Sequence, residues 1–205
     1  TEAASLQEVK LAMDSGCKPE SIVFDSPLKT KREIHWMLEN ASGATVNIDS
    51  LEELERYPKQ HSLKMGLRIT VGYKTASDPS LDVSGKSGKF GIWHERETEL
   101  LKAVEMHSSI TDLHIHQGSQ IGALENQVKG IRRVVDLALW INESLGTQRI
   151  KRINIGGGFP VNYSGEPFEI VADANLLKAE CPELWNGTFK MLTEFGRFTH
   201  AHAGW

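Results

Sequence analysis

Two hydrophobic patterns alternate along this chain. Short runs rich in Ile, Val and Leu, mostly without strict alternation of apolar and polar positions, are typical of β-strands covered on both faces. Between these runs, apolar residues recur every three or four positions, as they do in amphipathic helices. The runs predict strands at residues 22–25, 44–49, 67–71, 113–118, 153–155 and 190–194, with a short stub at 2–5.

Capping residues mark the boundaries of the helices between these strands. Ser5 with Glu8, and Ser50 with Glu53, have the spacing of a capping box at a helix N-terminus. Gly146 is suited to the C-terminus of the longest helical stretch. The predicted helices cover residues 5–15, 30–39, 50–57, 94–108 and 124–145.

The alternation of strands and helices predicts the fold class. Six repeats without an interdomain linker predict one α/β domain over residues 1–205, either a barrel of parallel strands or a doubly wound sheet. In a barrel, the C-terminal tips of the strands meet on the face that carries catalysis. The polar segment 75–89 predicts a loop long enough to be functional.

Composition and charge exclude several classes of partner. A net charge of −4, with no block of like charges, argues against a nucleic acid or a membrane surface as the main partner. No apolar run approaches the roughly 20 residues that span a bilayer, and no signal peptide is visible. We expect Cys17 and Cys181 to be free thiols of a cytoplasmic protein, with a single disulfide as the alternative.

Three of the predicted strands end in polar, glycine-bearing tips, at residues 113–119, 153–158 and 191–197. Together the tips offer an imidazole, a glycine run, a carboxylate and a guanidinium. This set suits a phosphorylated aromatic cofactor, which needs a flat group to stack on, open amides or a cation for its phosphate, and an acid for a ring nitrogen.

His114 and His116 are two positions apart on a predicted strand, so both side chains point to the same face. They are compatible with a metal-binding pair as in barrel hydrolases, with a ring stacked on a planar cofactor, or with a hydrogen-bonded histidine that lines a barrel. Gly118 and Ser119, which follow, favour an oxyanion or phosphate over a metal.

The other two tips each allow two interpretations. Gly156, Gly157 and Gly158 form either an anion-binding nest of amides or a tight turn. Glu194 and Arg197 either bind a ring nitrogen and a phosphate or pair with each other. The segment 85–87 is no phosphate-binding loop of the nucleotide type, because position 81 is leucine where that motif needs glycine.

Taken in order, these motifs resemble the fold-type III pyridoxal-phosphate decarboxylases, the diaminopimelate, arginine and ornithine decarboxylase group, which is related in barrel fold to alanine racemase. The resemblance runs through nearly the whole chain. Its segments are 4–9, 24–29, 47–54, 67–69, 88–91, 116–120, 156–159 and 194–197. One departure is Phe195, where the family has proline.

The resemblance implies a TIM-type (β/α)8 barrel of the alanine racemase-like kind, incomplete in this chain, that binds pyridoxal 5'-phosphate. His116 and Glu194 would be catalytic, with His116 stacked on the ring and Glu194 paired with the ring nitrogen. No metal is implied. The residues implied to contact the cofactor or its phosphate are His116, Ser119, Gly157, Gly158, Glu194, Gly196 and Arg197.

The activity implied is that of an amino-acid decarboxylase, most like diaminopimelate decarboxylase, which releases CO2 from a basic or diamino acid. The full-length parent would be a homodimer with Lys89 near the partner subunit. The family's Schiff-base lysine and C-terminal β domain would lie outside the segment from Thr1 to Trp205, so the chain alone is expected to be inactive. The alternatives are a racemase-like or cofactor-carrier barrel, and a metal-dependent barrel hydrolase.

Overall fold

The computed structural model describes residues 1–75, 88–163 and 170–203, so most of the predicted loop, including the 85–87 segment, lies outside the described residues. Strands and helices alternate through these ranges. The strands are β1 Glu2–Ala3, β2 Val23–Phe24, β3 Thr45–Ile48, β4 Lys64–Thr70, β5 Ile92–Trp93, β6 Ile110–His114, β7 Arg152–Asn154 and β8 Lys190–Leu192. The helices are α1 Leu6–Asp14, α2 Lys31–Asn40, α3 Leu51–Leu54, α4 Glu97–Met106, α5 Leu124–Leu145, α6 Ile170–Glu180 and α7 Gly196–His200, with 3₁₀ turns at Pro19–Ser21, Pro182–Leu184 and Ala201–Ala203.

The sheet is parallel throughout and follows the order β1-β2-β3-β4-β6-β7-β8. The short strand β5 pairs only with the C-terminal end of β4, where Ile69 lies opposite Ile92. This sheet is curled into a half-barrel, with β1 and β8 as its edges. The predicted incomplete barrel is therefore confirmed, and the doubly wound alternative is not what forms.

Side chains on the two faces of the sheet differ in polarity. Val46 and Leu113 are fully buried in the core that the helices cover. Alternate positions face the barrel interior, where the Arg152 guanidinium bonds the Asp112 carboxylate and donates to Thr45 Oγ1 at 2.6 Å. Since successive strand residues point to opposite faces, the next inward positions on β6 and β7 bring polar groups toward the strand tips.

Several predicted boundaries need correction. The strand predicted at 113–118 ends at His114, and the one predicted at 190–194 ends at Leu192. His116, Ser119 and Glu194 therefore lie on loops, whereas Gly196 and Arg197 begin α7. The helix predicted at 50–57 spans four residues only. Helix α6 and strand β5 were not predicted. The sequence of α6 lacks a helical apolar pattern, because apolar residues also face solvent and Val171 is 65% exposed. Strand β5 has just two residues, too few to form a recognisable pattern.

The predicted capping signals are confirmed where the structure describes them. The side chains of Ser5 and Ser50 accept hydrogen bonds from the backbone N–H groups of Glu8 and Glu53. Gly146 ends α5 with φ +61°, in the left-handed region that glycine tolerates. The predicted helix 124–145 therefore matches α5 at both ends.

The structure tests two further predictions, on the state of the cysteines and on membrane-spanning helices. Cys17 and Cys181 are free thiols, half-buried and buried respectively, so the disulfide alternative is wrong. Within the described ranges, no helix combines the length and apolar character that crossing a membrane requires.

Candidate functional site

The three glycine-bearing tips come together after adjacent strands β6, β7 and β8. A side chain on Gly157 would place its Cβ 2.4 Å from the carbonyl oxygen of Glu194, at the β8 tip. On Gly158 the Cβ would lie 2.2 Å from the carbonyl oxygen of Gly118, at the β6 tip, and φ is +88°. The β7 tip thus packs backbone to backbone between its neighbours, and this spacing needs glycine.

No helix begins at the glycine run within the described residues 156–163. Gly156 and Gly158 have φ of +72° and +88°, which a right-handed helix does not accept, and Pro160 follows. The Gly157 N–H donates to His116 Nδ1 at 3.2 Å. A phosphate bound to the Gly157 amide would therefore compete with His116, and the predicted phosphate role of Gly157 remains a prediction.

Glu194 is the centre of the polar cluster at these tips. Its side chain is 8% exposed, and its Oε1 accepts a hydrogen bond from Asn154 Nδ2 at 2.7 Å. His114 Nε2 lies 3.3 Å from Oε1, and His116 Nδ1 lies 3.4 Å from Oε2. Burial alone would raise the pKa of Glu194, but the His114 imidazole lowers it below its ordinary range. Glu194 is therefore an anion at neutral pH.

His114 connects this carboxylate to a second one across the barrel. Its side chain is fully buried, and its Nδ1 lies 3.4 Å from Asp25 Oδ1, at the end of β2. Burial opposes a charged imidazole, but the carboxylates of Asp25 and Glu194 together raise the pKa of His114. The predicted common orientation of His114 and His116 is confirmed, because both rings approach the same carboxylate.

Arg197 does not pair with Glu194, so the alternative of an ion pair at this strand end is wrong. The Arg197 guanidinium donates to Ser119 Oγ at 3.2 Å and to Tyr163 Oη at 2.9 Å. These hydrogen bonds link the β8 tip to the β6 tip and place two hydroxyl groups next to the guanidinium cation. An added Cβ on Gly196 would meet nothing within 4 Å, so space does not require glycine there.

A cavity of about 750 Å³ opens beside Glu194, between the sheet edges β1 and β8. This volume falls within the range of small-molecule sites. Among its lining residues are Glu2, Asn154, Glu194 and Gly196. Burial, followed by the charges of Glu194 and Asp25, raises the pKa of Glu2 to about 7.

A second cavity, of about 390 Å³, lies on the outer surface between α5 and α6. Its arginines are already paired: Arg132 with Glu183 at 2.7 Å, and Arg133 with Glu97 at 2.5 Å. Charges so neutralised leave little to recognise a charged ligand, so the strand tips are the better candidate site.

Several residues of the site were missed by the sequence analysis. They are Glu2, Asp25, Asn154 and Tyr163. A signal for Asn154 was present, because polar residues alternate with isoleucine from 152 to 155, as they do on a strand with one polar face. Asp25 and Glu2 carry no comparable signal, since their contacts come from distant parts of the chain.

A metal could be considered at one group within the described residues: one ligand atom each of His114, His116 and Glu194 lie within 4.8 Å of one another. His116 Nδ1, however, already accepts the Gly157 N–H. The additional His and Asp ligands expected of a barrel hydrolase are not found with this group in the described residues. The arrangement fits an organic cofactor better.

The fold and the site define a parallel α/β half-barrel whose strand tips carry an acid, an imidazole and an arginine, with the acid, Glu194, lining a cavity. The chain belongs to the pyridoxal-dependent decarboxylase family, since the model of that family's pyridoxal binding domain matches residues 1–201. Members of this family are pyridoxal-dependent carboxy-lyases, in the diaminopimelate, ornithine and arginine decarboxylase group. The resemblance seen in the sequence is thus confirmed.

Individual relatives agree with this membership. Diaminopimelate decarboxylase of Staphylococcus aureus (strain COL) is 31% identical over 169 residues, which are 79% of this chain and 38% of that protein. Ornithine decarboxylase of Caenorhabditis elegans is 30% identical over 204 residues, 96% of this chain and 45% of that protein. The chain therefore spans less than half the length of these relatives.

The fold is likewise that of solved decarboxylase structures. Diaminopimelate decarboxylase from Helicobacter pylori, complexed with L-lysine, superposes with a TM-score of 0.83 at 22% identity. The match covers 97% of this chain and 51% of that one. At this identity the match supports the fold, and the half-coverage agrees with an incomplete barrel.

Proposed function

We propose that this chain is the pyridoxal-phosphate-binding barrel of an amino-acid decarboxylase, most like diaminopimelate decarboxylase, that removes CO2 from a basic or diamino acid. Relatives named diaminopimelate and ornithine decarboxylase support the substrate class, and the H. pylori enzyme is complexed with L-lysine. For the full-length protein we extend the proposal to a homodimer with Lys89 near the partner, and to a C-terminal β domain.

One observation carries the proposal: a buried carboxylate, Glu194, is held as an anion beside a cavity and next to a half-buried imidazole, His116. A buried anion is costly unless a cation or hydrogen-bond donor compensates it. A protonated pyridine nitrogen is such a donor, and Arg197 with Ser119 offers charge and hydroxyl to a phosphate. The residues present therefore fit pyridoxal phosphate.

Each side chain has a definite task in this proposal. When bound, pyridoxal phosphate supplies an electron sink for the negative charge left as CO2 departs. Glu194 would accept the ring N–H and so keep the proton on the ring nitrogen. His116 would present its ring for stacking, while Arg197, Ser119 and Gly158 would orient the phosphate. These tasks are electrostatic and positional, the two largest contributions that a protein makes to catalysis.

The proposal is tested by titrating the chain with pyridoxal phosphate and following the absorbance of the bound cofactor. Arg197→Met should weaken binding about 10- to 100-fold, because a charge-assisted hydrogen bond is worth about 1.5–3 kcal/mol. The matched control is Arg32→Met, at an exposed position of α2. Wild-type chain that does not bind the cofactor, or an Arg197→Met chain that binds as well as the control, would refute the proposal.

A further inference from the structure

His114 is a buried titratable group to which the proposed mechanism gives no task. It stands between two carboxylates, with Nδ1 3.4 Å from Asp25 Oδ1 and Nε2 3.3 Å from Glu194 Oε1. A neutral imidazole carries one N–H and one lone pair. It would therefore turn a lone pair toward one of the two anions. The imidazolium form alone offers an N–H to each of them.

Charged groups on or just after four other strands of the half-barrel act on this imidazole. Asp25 follows β2, Glu194 follows β8, and Glu2 lies on β1. Arg68 on β4 is the opposing cation, and its Nη1 lies 3.6 Å from Asp49 Oδ1. The surrounding charge is thus negative on balance, which favours the protonated ring despite its burial.

The two oxygens of Glu194 have different surroundings. Oε1 receives the Asn154 amide and faces His114 Nε2. Oε2 faces His116 Nδ1, but that nitrogen accepts the Gly157 N–H and so carries no proton to donate. Oε1 is therefore satisfied by the protein, and Oε2 is the oxygen that can take a proton donor from a ligand.

We propose that His114 is a positioning residue that keeps the Glu194 carboxylate charged and leaves its second oxygen for the ring nitrogen of the cofactor. Asp25 supports it by holding the other side of the imidazole. The use of the free oxygen rests on the proposed function. The charge relation among Asp25, His114 and Glu194 does not, and it can be tested without cofactor.

The competing explanation is that His114 merely fills the barrel interior. The two explanations differ in what Glu194 does when the imidazole is replaced. If His114 holds the charge, His114→Gln leaves the buried carboxylate with the Asn154 amide as a donor but without the imidazolium at Oε1, and the Glu194 carboxyl should take up a proton at a higher pH than before. If His114 only fills space, the ionisation of Glu194 should not change.

NMR of the 205-residue chain, labelled with ¹³C in the glutamate carboxyls and ¹⁵N in histidine, reads both groups directly. In the wild type, His114 should be an imidazolium at pH 7, and Glu194 should stay ionised from pH 5 to 8. In His114→Gln, the Glu194 signal should titrate inside that window. The Glu194 resonance is assigned by its loss in Glu194→Gln. The control is His35→Gln, since His35 pairs with Glu39 on the exposed face of α2.

A second variant keeps the inference testable if His114→Gln does not fold. Asp25→Asn retains the imidazole, and the midpoint of His114 should fall because one of its two carboxylates is gone. A neutral His114 at pH 7 in the wild type would overturn the proposal. So would a Glu194 that stays ionised throughout pH 5–8 in folded His114→Gln, or an unchanged His114 midpoint in Asp25→Asn.

Cofactor binding gives a separate readout. Below the new pKa of Glu194, the dissociation constant of pyridoxal phosphate for His114→Gln, divided by that of the wild type, should grow about tenfold per pH unit. A ratio independent of pH would overturn the proposed role. If the wild type binds no cofactor at all, the proposed function fails, and the carboxyl titration still decides the relation between His114 and Glu194.

Discussion

At the scale of single residues, the site is a set of charges whose positions decide their protonation. Three carboxylates, Glu2, Asp25 and Glu194, converge near one buried imidazole. The result is a division of states: Glu194 has its pKa lowered, while Glu2 has its pKa raised to about 7. Environments that shift the pKa values of neighbouring carboxyl groups in opposite directions are typical of functional sites.

In the full-length protein, Glu194→Gln should lower turnover about 10²- to 10³-fold while changing cofactor affinity less than tenfold. A neutral amide cannot compensate a protonated ring nitrogen, whereas the phosphate contacts of Arg197 and Ser119 remain. Steady-state rates of CO2 release, together with a cofactor titration, separate the two effects. Glu143→Gln, on the exposed side of α5, is the control. Unchanged turnover in a variant that binds the cofactor would contradict the role of Glu194.

Glu2→Gln should stabilise the chain at neutral and alkaline pH, and not below about pH 4.5. The folded state holds the Glu2 proton up to about pH 7, whereas the group ordinarily loses it near 4.5. Ionised Glu2 therefore destabilises the fold above pH 7, and this cost disappears as the pH falls toward 4.5. Because Glu2 is exposed at the sheet edge, solvent screens the effect to about 1 kcal/mol. Urea unfolding at pH 5 and 8.5 measures it, and an equal gain at both values would exclude the raised pKa.

The sequence identified the polar tips but not the contacts that set their protonation. His116, Ser119, Glu194 and Arg197 were predicted as one site, because each lies at the end of a strand-like run or just after it. The contact between Asp25 and His114 could not be predicted, and neither could the electrostatic effect of Glu194 on Glu2. Both depend on how strongly the sheet is curved. Spacing along the chain carries no information on that curvature.

At the scale of elements, the site exists because the tips of β6, β7 and β8 pack at backbone contact. Glycine at 156, 157 and 158 lets the β7 tip lie between its neighbours. No helix begins in the described residues 156–163, and the Gly157 amide at this tip bonds to a protein group, His116 Nδ1. The glycine run therefore serves close packing at least as much as anion binding.

Gly158→Ala should destabilise the chain by about 2–4 kcal/mol. Alanine is strained at the left-handed φ of this position, +88°. Its Cβ would also lie 2.2 Å from the Gly118 carbonyl oxygen, which is a steric clash. Gly196→Ala is the matched control, because its Cβ would have open space, and it should change stability by less than about 0.5 kcal/mol. Equal stabilities of the two variants in denaturant unfolding would show that the tips are not packed as described.

Helices and strands with a strong local sequence pattern were predicted more accurately than those without one. Helix α5 was predicted at both ends because a long apolar period stops at a glycine that can adopt positive φ. The predicted strands were placed correctly, but their C-terminal ends were not. Apolar residues such as Ile115 and Ile155 extend the hydrophobic run past the last residue of the strand. Helix α6 was missed because it exposes apolar side chains instead of forming one apolar face.

At the scale of the whole molecule, this chain is a half-barrel with two sheet edges, β1 and β8, on either side of the cavity. Unpaired edges are sites of association between chains. The same opening makes the cavity accessible from the side. The proposed pyridoxal-dependent chemistry requires a lysine amine that reaches the cofactor.

Lys29 is the buried lysine among the described residues, being 1% exposed, and it is the obvious candidate for that amine. Its Nζ, however, lies 3.0 Å from Glu53 Oε1 and donates to the carbonyl oxygens of Ser26 and Asn47 at 2.6 and 2.5 Å. These partners use all three N–H groups of an ammonium. Lys29 is therefore committed to a buried ion pair with Glu53, and breaking such a pair by removing one partner costs about 3–5 kcal/mol.

The 205-residue chain on its own should therefore release no CO2 from basic or diamino acids, and no single lysine should become stoichiometrically attached to pyridoxal phosphate. Borohydride reduction in the presence of the cofactor, followed by peptide mass spectrometry, tests this. The expected result is sparse labelling spread over exposed lysines such as Lys102 and Lys129 on the helices. The control omits borohydride and should show no stable label. One fully labelled lysine together with measurable CO2 release would establish that the half-barrel carries its own reactive amine.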